Sequence, residues 1–120
     1  MPNRTEPTPP PNPYRDKLAG LGTALATVCT RTYHYFHPAK VAAPFIVWME
    51  DGDNGLEADD GKAEQAISGT VDLFTKTEYD PALDGIQTAL DSYGAAWYLN
   101  SVQYEDETGL IHYEWVFEVV

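Results

Sequence analysis

The chain has 120 residues with 19 acidic and 7 basic side chains, a formal net charge of −12. At this length one domain buries roughly two thirds of its unfolded surface, so neither a metal nor a disulfide is needed to hold it, and the single cysteine, Cys29, excludes an internal disulfide. The charge is uneven: residues 1–40 hold Arg4, Arg15, Lys17, Arg31 and Lys40 against Glu6 and Asp16 (+3), whereas residues 41–120 hold seventeen acids against Lys62 and Lys76 (−15). So acidic a body is repelled by phosphate backbones, which argues against sequence-reading DNA or RNA binding.

No charged-then-apolar leader opens the sequence and no apolar run approaches ~18 residues, so the expectation is a protein made in a reducing cytosol, without a standard export signal and without a membrane span. Residues 1–13 contain six of the nine prolines and almost nothing apolar. They are expected to form a flexible proline-rich arm, with residues 14–120 as a single domain. Pro7-Thr8-Pro9-Pro10 satisfies the PxxP pattern, but an unstructured tail, or one ordered only by a neighbouring subunit, is the plainer reading.

Tyr14, Leu18, Leu21, Leu25 and Val28 recur at steps of 4, 3, 4 and 3, which predicts a first helix with Asn12 as cap and Pro13 in its first turn. Gly20 and Gly22 each cost about 1 kcal/mol there, so packing must hold it. Arg31 to Phe36 is dense in β-branched and aromatic residues and predicts a short strand. Pro44 to Glu50 carries five consecutive large apolar residues and is expected to be the central strand, covered on both faces, with Phe45, Val47 and Met49 opposite Ile46 and Trp48. Asp51 to Gln65 then reads as a long acidic connection.

Ile67 to Lys76 alternates, with Ile67, Val71 and Leu73 flanking Gly69 on one register and Ser68, Thr70, Asp72 and Phe74 on the other. Asp80-Pro81 signals a second helix with Leu83, Ile86, Leu90 and Tyr93 on one stripe, ending at Gly94. Ala95 to Glu105 and Leu110 to Val120 form a hairpin around Asp106-Glu107-Thr108-Gly109, with Ile111, Tyr113, Trp115, Phe117 and Val119 on its apolar face. The predicted fold is α+β: a mostly antiparallel sheet of four to five strands with two helices packed on it. Phe45, Ile46, Val47, Trp48, Leu73, Trp115 and Phe117 are the expected core.

Chemistry is harder to find. Asp51, Asp53 and Gly55 begin like a calcium loop, but Leu56 stands where the glycine belongs and Lys62 where the closing glutamate belongs. His34 and His37, three apart in a strand, point to opposite faces, no zinc spacing is present, and His112 reads as a surface histidine on the polar face of the last strand. There is no Gly-x-Ser-x-Gly elbow and no glycine-rich phosphate loop, and Cys29 lies beside an apolar stripe. No catalytic residue, cofactor or metal ligand is assigned, and nothing argues for an enzyme.

An N-terminal amphipathic helix, Tyr33-His34-Tyr35, Pro44-Phe45-Ile46-Val47-Trp48 with an acidic turn, Val71-Asp72-Leu73-Phe74-Thr75, a helix opened by Asp80-Pro81 and an aromatic hairpin together resemble the tail terminator, or tail-completion, proteins of long-tailed bacteriophages. These are small head-tail joining components of the virion neck, made in the bacterial host cytoplasm, and the resemblance covers residues 14–120. It implies a ring, usually a hexamer, that caps the tail tube, stops its growth and joins it to the head connector or stopper protein. A closed ring needs a heterologous interface. Six copies with an acidic body would line a lumen through which DNA slides without binding. The loop acids Glu50, Asp51, Asp53, Glu57, Asp59, Asp60 and Glu64 are the candidate lumen- or partner-facing residues. Two alternatives share the charge: a head-side adaptor or stopper of the same neck, and an acidic DNA-mimic inhibitor of a nuclease.

Overall fold

The computed structural model describes residues 13–53 and 65–120. The elements run α1 (Pro13–Val28), β1 (Thr32–His34), β2 (Phe45–Asp53), β3 (Ile67–Thr75), α2 (Pro81–Tyr93), β4 (Ala96–Glu105) and β5 (Leu110–Val119). The fold is α+β, with a five-stranded sheet in the order β1-β2-β3-β5-β4. β1 pairs with β2 in parallel and every other pair is antiparallel.

Each helix is bounded by local chemistry. Pro13, grouped with the arm by the domain division, is the first residue of α1, and Leu18, Leu21 and Leu25 give that helix its buried stripe. Gly22 brings its backbone against the Trp48 ring, and Gly20 does the same against the Tyr93 ring of α2. A glycine's low helix propensity is thus offset by close packing on a flat ring. Asp80 caps α2 by accepting from the Ala82 N–H at 2.8 Å, and its other oxygen accepts from the Thr75 hydroxyl at 2.6 Å. Gly94 ends the helix at φ 86, the left-handed conformation in which a side chain would be strained.

Both helices lie on one face of the sheet. Their apolar residues Leu18, Leu21, Leu25, Ile86 and Leu90 join Ile46, Trp48, Ile67, Val71, Leu73, Trp115 and Phe117 in one core cluster. The Trp115 indole N–H donates to Gln87 at 3.1 Å, and the Tyr93 hydroxyl donates to the Lys17 carbonyl at 2.5 Å, tying α2 to the sheet and to α1.

Among the described residues the opposite face carries no helix. There the register aligns Phe45 with Phe74 and Phe74 with His112, and their rings stack at 4.7 and 4.3 Å, with His37 adding to the row at 5.1 Å from Phe45. Phe45 and Val47 are buried, at 5% and 6% exposure, without a second layer above them.

Three expectations are corrected by this arrangement. The Phe45 strand is second from the edge, and β3 is the middle one, because the β4–β5 hairpin docks on the far side of β3. Among the described residues the Phe45 strand has helices on one face only, Phe45 on its other face packing against the His37 and Phe74 rings. It also continues to Asp53, so Asp51 and Asp53 belong to a strand rather than a loop. Asp51 is the extra residue of a bulge, since Glu50 pairs with Gly69 and Gly52 with Ser68.

Candidate functional site

Of the seven acids singled out in the sequence, Glu57, Asp59, Asp60 and Glu64 lie outside the described residues. The other three are not equivalent. Glu50 is half-buried, and its carboxylate meets the His34 Nε2 at 2.6 Å while its carbonyl accepts from the Tyr35 hydroxyl at 3.1 Å. Burial alone would push Glu50 up, but hydrogen bonding from His34, its own backbone and Tyr35 outweighs that and holds it below the usual glutamate value of 4.5. Asp51 is exposed, and Asp53 accepts from the Gln65 amide at 2.9 Å.

The Glu50–His34 pair forms one wall of a cleft of about 280 Å³ between the start of α1 and β2, which Tyr14, Arg15 and Trp48 also line. His34 stacks on Trp48 at a centroid distance of 4.0 Å. Tyr35, at φ 68, is held in its left-handed conformation by its N–H on the Trp48 carbonyl at 2.9 Å. His34 and His37 make separate contacts, the latter with the Pro38 carbonyl at 2.8 Å.

A second polar group sits on the face without helices, and sequence reasoning missed it. His112 is not a surface histidine: its side chain is 20% exposed and its Nε2 lies 2.6 Å from the Asp72 carboxylate. Its Nδ1 lies 3.6 Å from a Glu105 oxygen. The Asp72 hydrogen bond raises the His112 pKa above its ordinary 6.5, against burial, which lowers it, with further help from the Asp72, Glu105 and Glu114 charges. Asp72 and Glu114 are direct cross-strand partners, and Asn100, the extra residue of a bulge in β4, donates to Glu114 at 2.8 Å. Like parity along β3 and β5 was legible in the sequence. Their register, which decides that the two polar rows meet at one place, was not.

Apart from Tyr79, before α2, and Val120 at the chain end, the exposed large apolar residues among the described residues gather at the two edges of the sheet. On β4 these are Tyr98, Leu99, Val102 and Tyr104, and after β1 they are Tyr35 and Phe36, the latter 83% exposed. Beside β4, Tyr79, Leu83, Val102, Tyr104 and Ile111 line a groove of about 560 Å³. The flanks also differ in charge: residues 13–44 hold Arg15, Lys17, Arg31 and Lys40 against Asp16, whereas residues 77–120 hold nine acids and neither lysine nor arginine.

No protein-family model and no curated protein matches the chain. Among solved structures it is similar to a chain of the "Virion of native gene transfer agent (GTA) particle", at 10% identity, with 87% of each chain covered and a TM-score of 0.47. That likeness is too loose to carry an argument about role.

Proposed function

We propose that this chain is a structural virion protein of a long-tailed phage or phage-like particle, a tail terminator that closes into a ring, caps the tail tube and joins it to the head connector. The observation that supports this reading is the pair of unlike apolar edges, Tyr98, Leu99, Val102 and Tyr104 on β4 and Tyr35 with Phe36 beside β1. An edge strand of ten residues offers unpaired N–H and C=O groups as well as side chains. Two unlike edges on one subunit are what a head-to-tail interface joins, and such an interface closes into a ring when the rotation between subunits allows it. The acidic body is turned to the channel, where it keeps passing DNA from sticking.

Native mass spectrometry of the protein alone, and electron microscopy with purified tail tubes, test the proposal. Rings of one subunit number that sit on tube ends are expected, six to a ring by the family resemblance. Val102→Lys with Tyr104→Lys should abolish the rings while leaving the melting temperature near that of the wild type. A chain that stays monomeric or dimeric even with tube protein present overturns the reading. Capping of head connectors instead of tubes points to an adaptor or stopper of the same neck.

The nine acids of residues 77–120, unaccompanied by any lysine or arginine, favour a second reading, an acidic decoy for a basic nuclease. It predicts a small complex with such an enzyme and no ring.

A further inference from the structure

We propose that Asp72, His112 and Glu114 form a binding site for one divalent first-row transition ion, of which zinc is the natural probe, on the sheet face opposite α1 and α2. One donor atom from each of the three residues lies within 4.8 Å of the other two. Bonds of about 2.0–2.2 Å to a tetrahedral ion place donors about 3.4 Å apart, between the 2.6 Å of the present His112–Asp72 contact and the 4.8 Å limit of the set, so small side-chain movements separate the first pair and close the rest. The sheet itself supplies the preorganisation. Asp72 and Glu114 are opposed across β3 and β5, and His112 stands two residues from Glu114 on the same face.

The surroundings are those a metal-bound imidazole needs. His112 donates its Nε2 proton to Asp72 at 2.6 Å; an arriving ion displaces that proton to solvent, while Glu105, 3.6 Å from Nδ1, keeps the proton on the other nitrogen. Phe74 stacks on the ring at 4.3 Å and fixes its plane. Asn100 holds one Glu114 oxygen at 2.8 Å, leaving the other to turn inward. Asp72 is only 8% exposed, and the ion would take over the role that the His112 ring plays for it at 2.6 Å.

The donor set also chooses the ion. One imidazole and two carboxylates suit zinc and its neighbours, whereas calcium takes six to eight oxygens and magnesium an octahedron of them. Three protein ligands leave a fourth position open to a water molecule on the uncovered face. The other histidine–carboxylate pair, His34 with Glu50, serves as a built-in control because no third donor joins it among the described residues.

Calorimetric titration of the full chain with zinc chloride at neutral pH should give one ion per chain. Asp72→Asn and His112→Gln should each weaken binding at least tenfold, Glu105→Gln should weaken it about tenfold as an outer partner, and His34→Gln should leave it unchanged. Nitrogen-15 spectra of the wild-type imidazoles give a readout that needs no fragile variant: zinc should shift the Nε2 of one histidine, and the same shift should persist in His34→Gln and His37→Gln. The proposal is overturned by no stoichiometric binding at micromolar zinc, by binding that survives in His112→Gln, or by a shifted signal that disappears with His34 or His37.

Discussion

Gly69 lies in the middle strand, opposite the β2 bulge, and a single methyl group there tests the whole packing scheme. A Cβ added at this position would stand 2.0 Å from the Met49 carbonyl oxygen, 2.8 Å from the Glu50 Cα and 2.8 Å from the Phe117 ring. Two of these neighbours are backbone, so relief requires either parting β2 from β3 or flattening the bulge at Asp51. Forcing one extra carbon into a packed core costs about 1–3 kcal/mol, and a clash with backbone belongs at the upper end. Against it stands about 0.4–1 kcal/mol gained because alanine narrows the unfolded ensemble. Gly69→Ala should therefore lose about 2 kcal/mol net. Urea unfolding followed by tryptophan fluorescence measures this directly, with an unchanged slope and a lower midpoint. A midpoint within error of the wild type would refute the close approach of β2 and β3 and with it the bulge that turns Asp51 outward.

Trp48→Ala removes an indole that is 7% exposed, stacked on His34 and against Gly22, and should cost about 3–5 kcal/mol in the same urea assay. Because the folded pKa of Glu50 is depressed, its contribution to stability is present above the unfolded value and is lost as pH falls below about 4.5 through the folded value. Melting temperatures from pH 6 to 3 should accordingly fall less steeply in Glu50→Gln than in the wild type, and parallel curves would count against the His34–Glu50 pair. Neutralising Asp51 and Asp53, both exposed, is expected to change stability by no more than about 0.5 kcal/mol per site. A collapse of the melting temperature would mean that the acidic stretch is structural.

Local chemistry made some of this protein readable in advance and long-range geometry hid the rest. The α2 boundaries were spelled out by Asp80-Pro81 and Gly94, and the hairpin by its turn and its odd-numbered apolar row, because each signal is complete within a few residues. Apolar content alone made Phe45 to Met49 look central, since a row of stacked aromatic rings shelters the second face of an off-centre strand as a helix layer would. The His112 cluster stayed hidden for a related reason. Asp72 and His112 are forty positions apart in the chain, and only the β3–β5 register joins them. Edge exposure was likewise invisible: Val102 and Tyr104 carry the same kind of side chain as the core of β5, and strand order alone leaves them uncovered.

Net charge gives the ring and the decoy opposite responses to salt. Two bodies of −12 held about 30 Å apart, the width of a small domain, repel by about 20 kcal/mol in salt-free water. The screening length is about 30 Å at 0.01 M and about 8 Å at 0.15 M, so about a third of that repulsion survives at the lower ionic strength and only a few per cent at the higher. Surface pairs between basic side chains and a neighbour's acids supply at most about 1 kcal/mol each, too little to offset the repulsion at low salt, and Lys17 and Arg31 are already bound to the Gln65 and Pro44 carbonyls. Apolar contact through Val102, Tyr104 and Phe36 is not weakened by such screening. Rings should therefore dissociate at 10 mM salt and assemble at 300 mM in sedimentation velocity runs. A decoy bound to a basic enzyme is held by attraction between opposite charges and must loosen over the same range, so a complex strongest at 10 mM, with no ring at 300 mM, would sink the ring and favour the decoy.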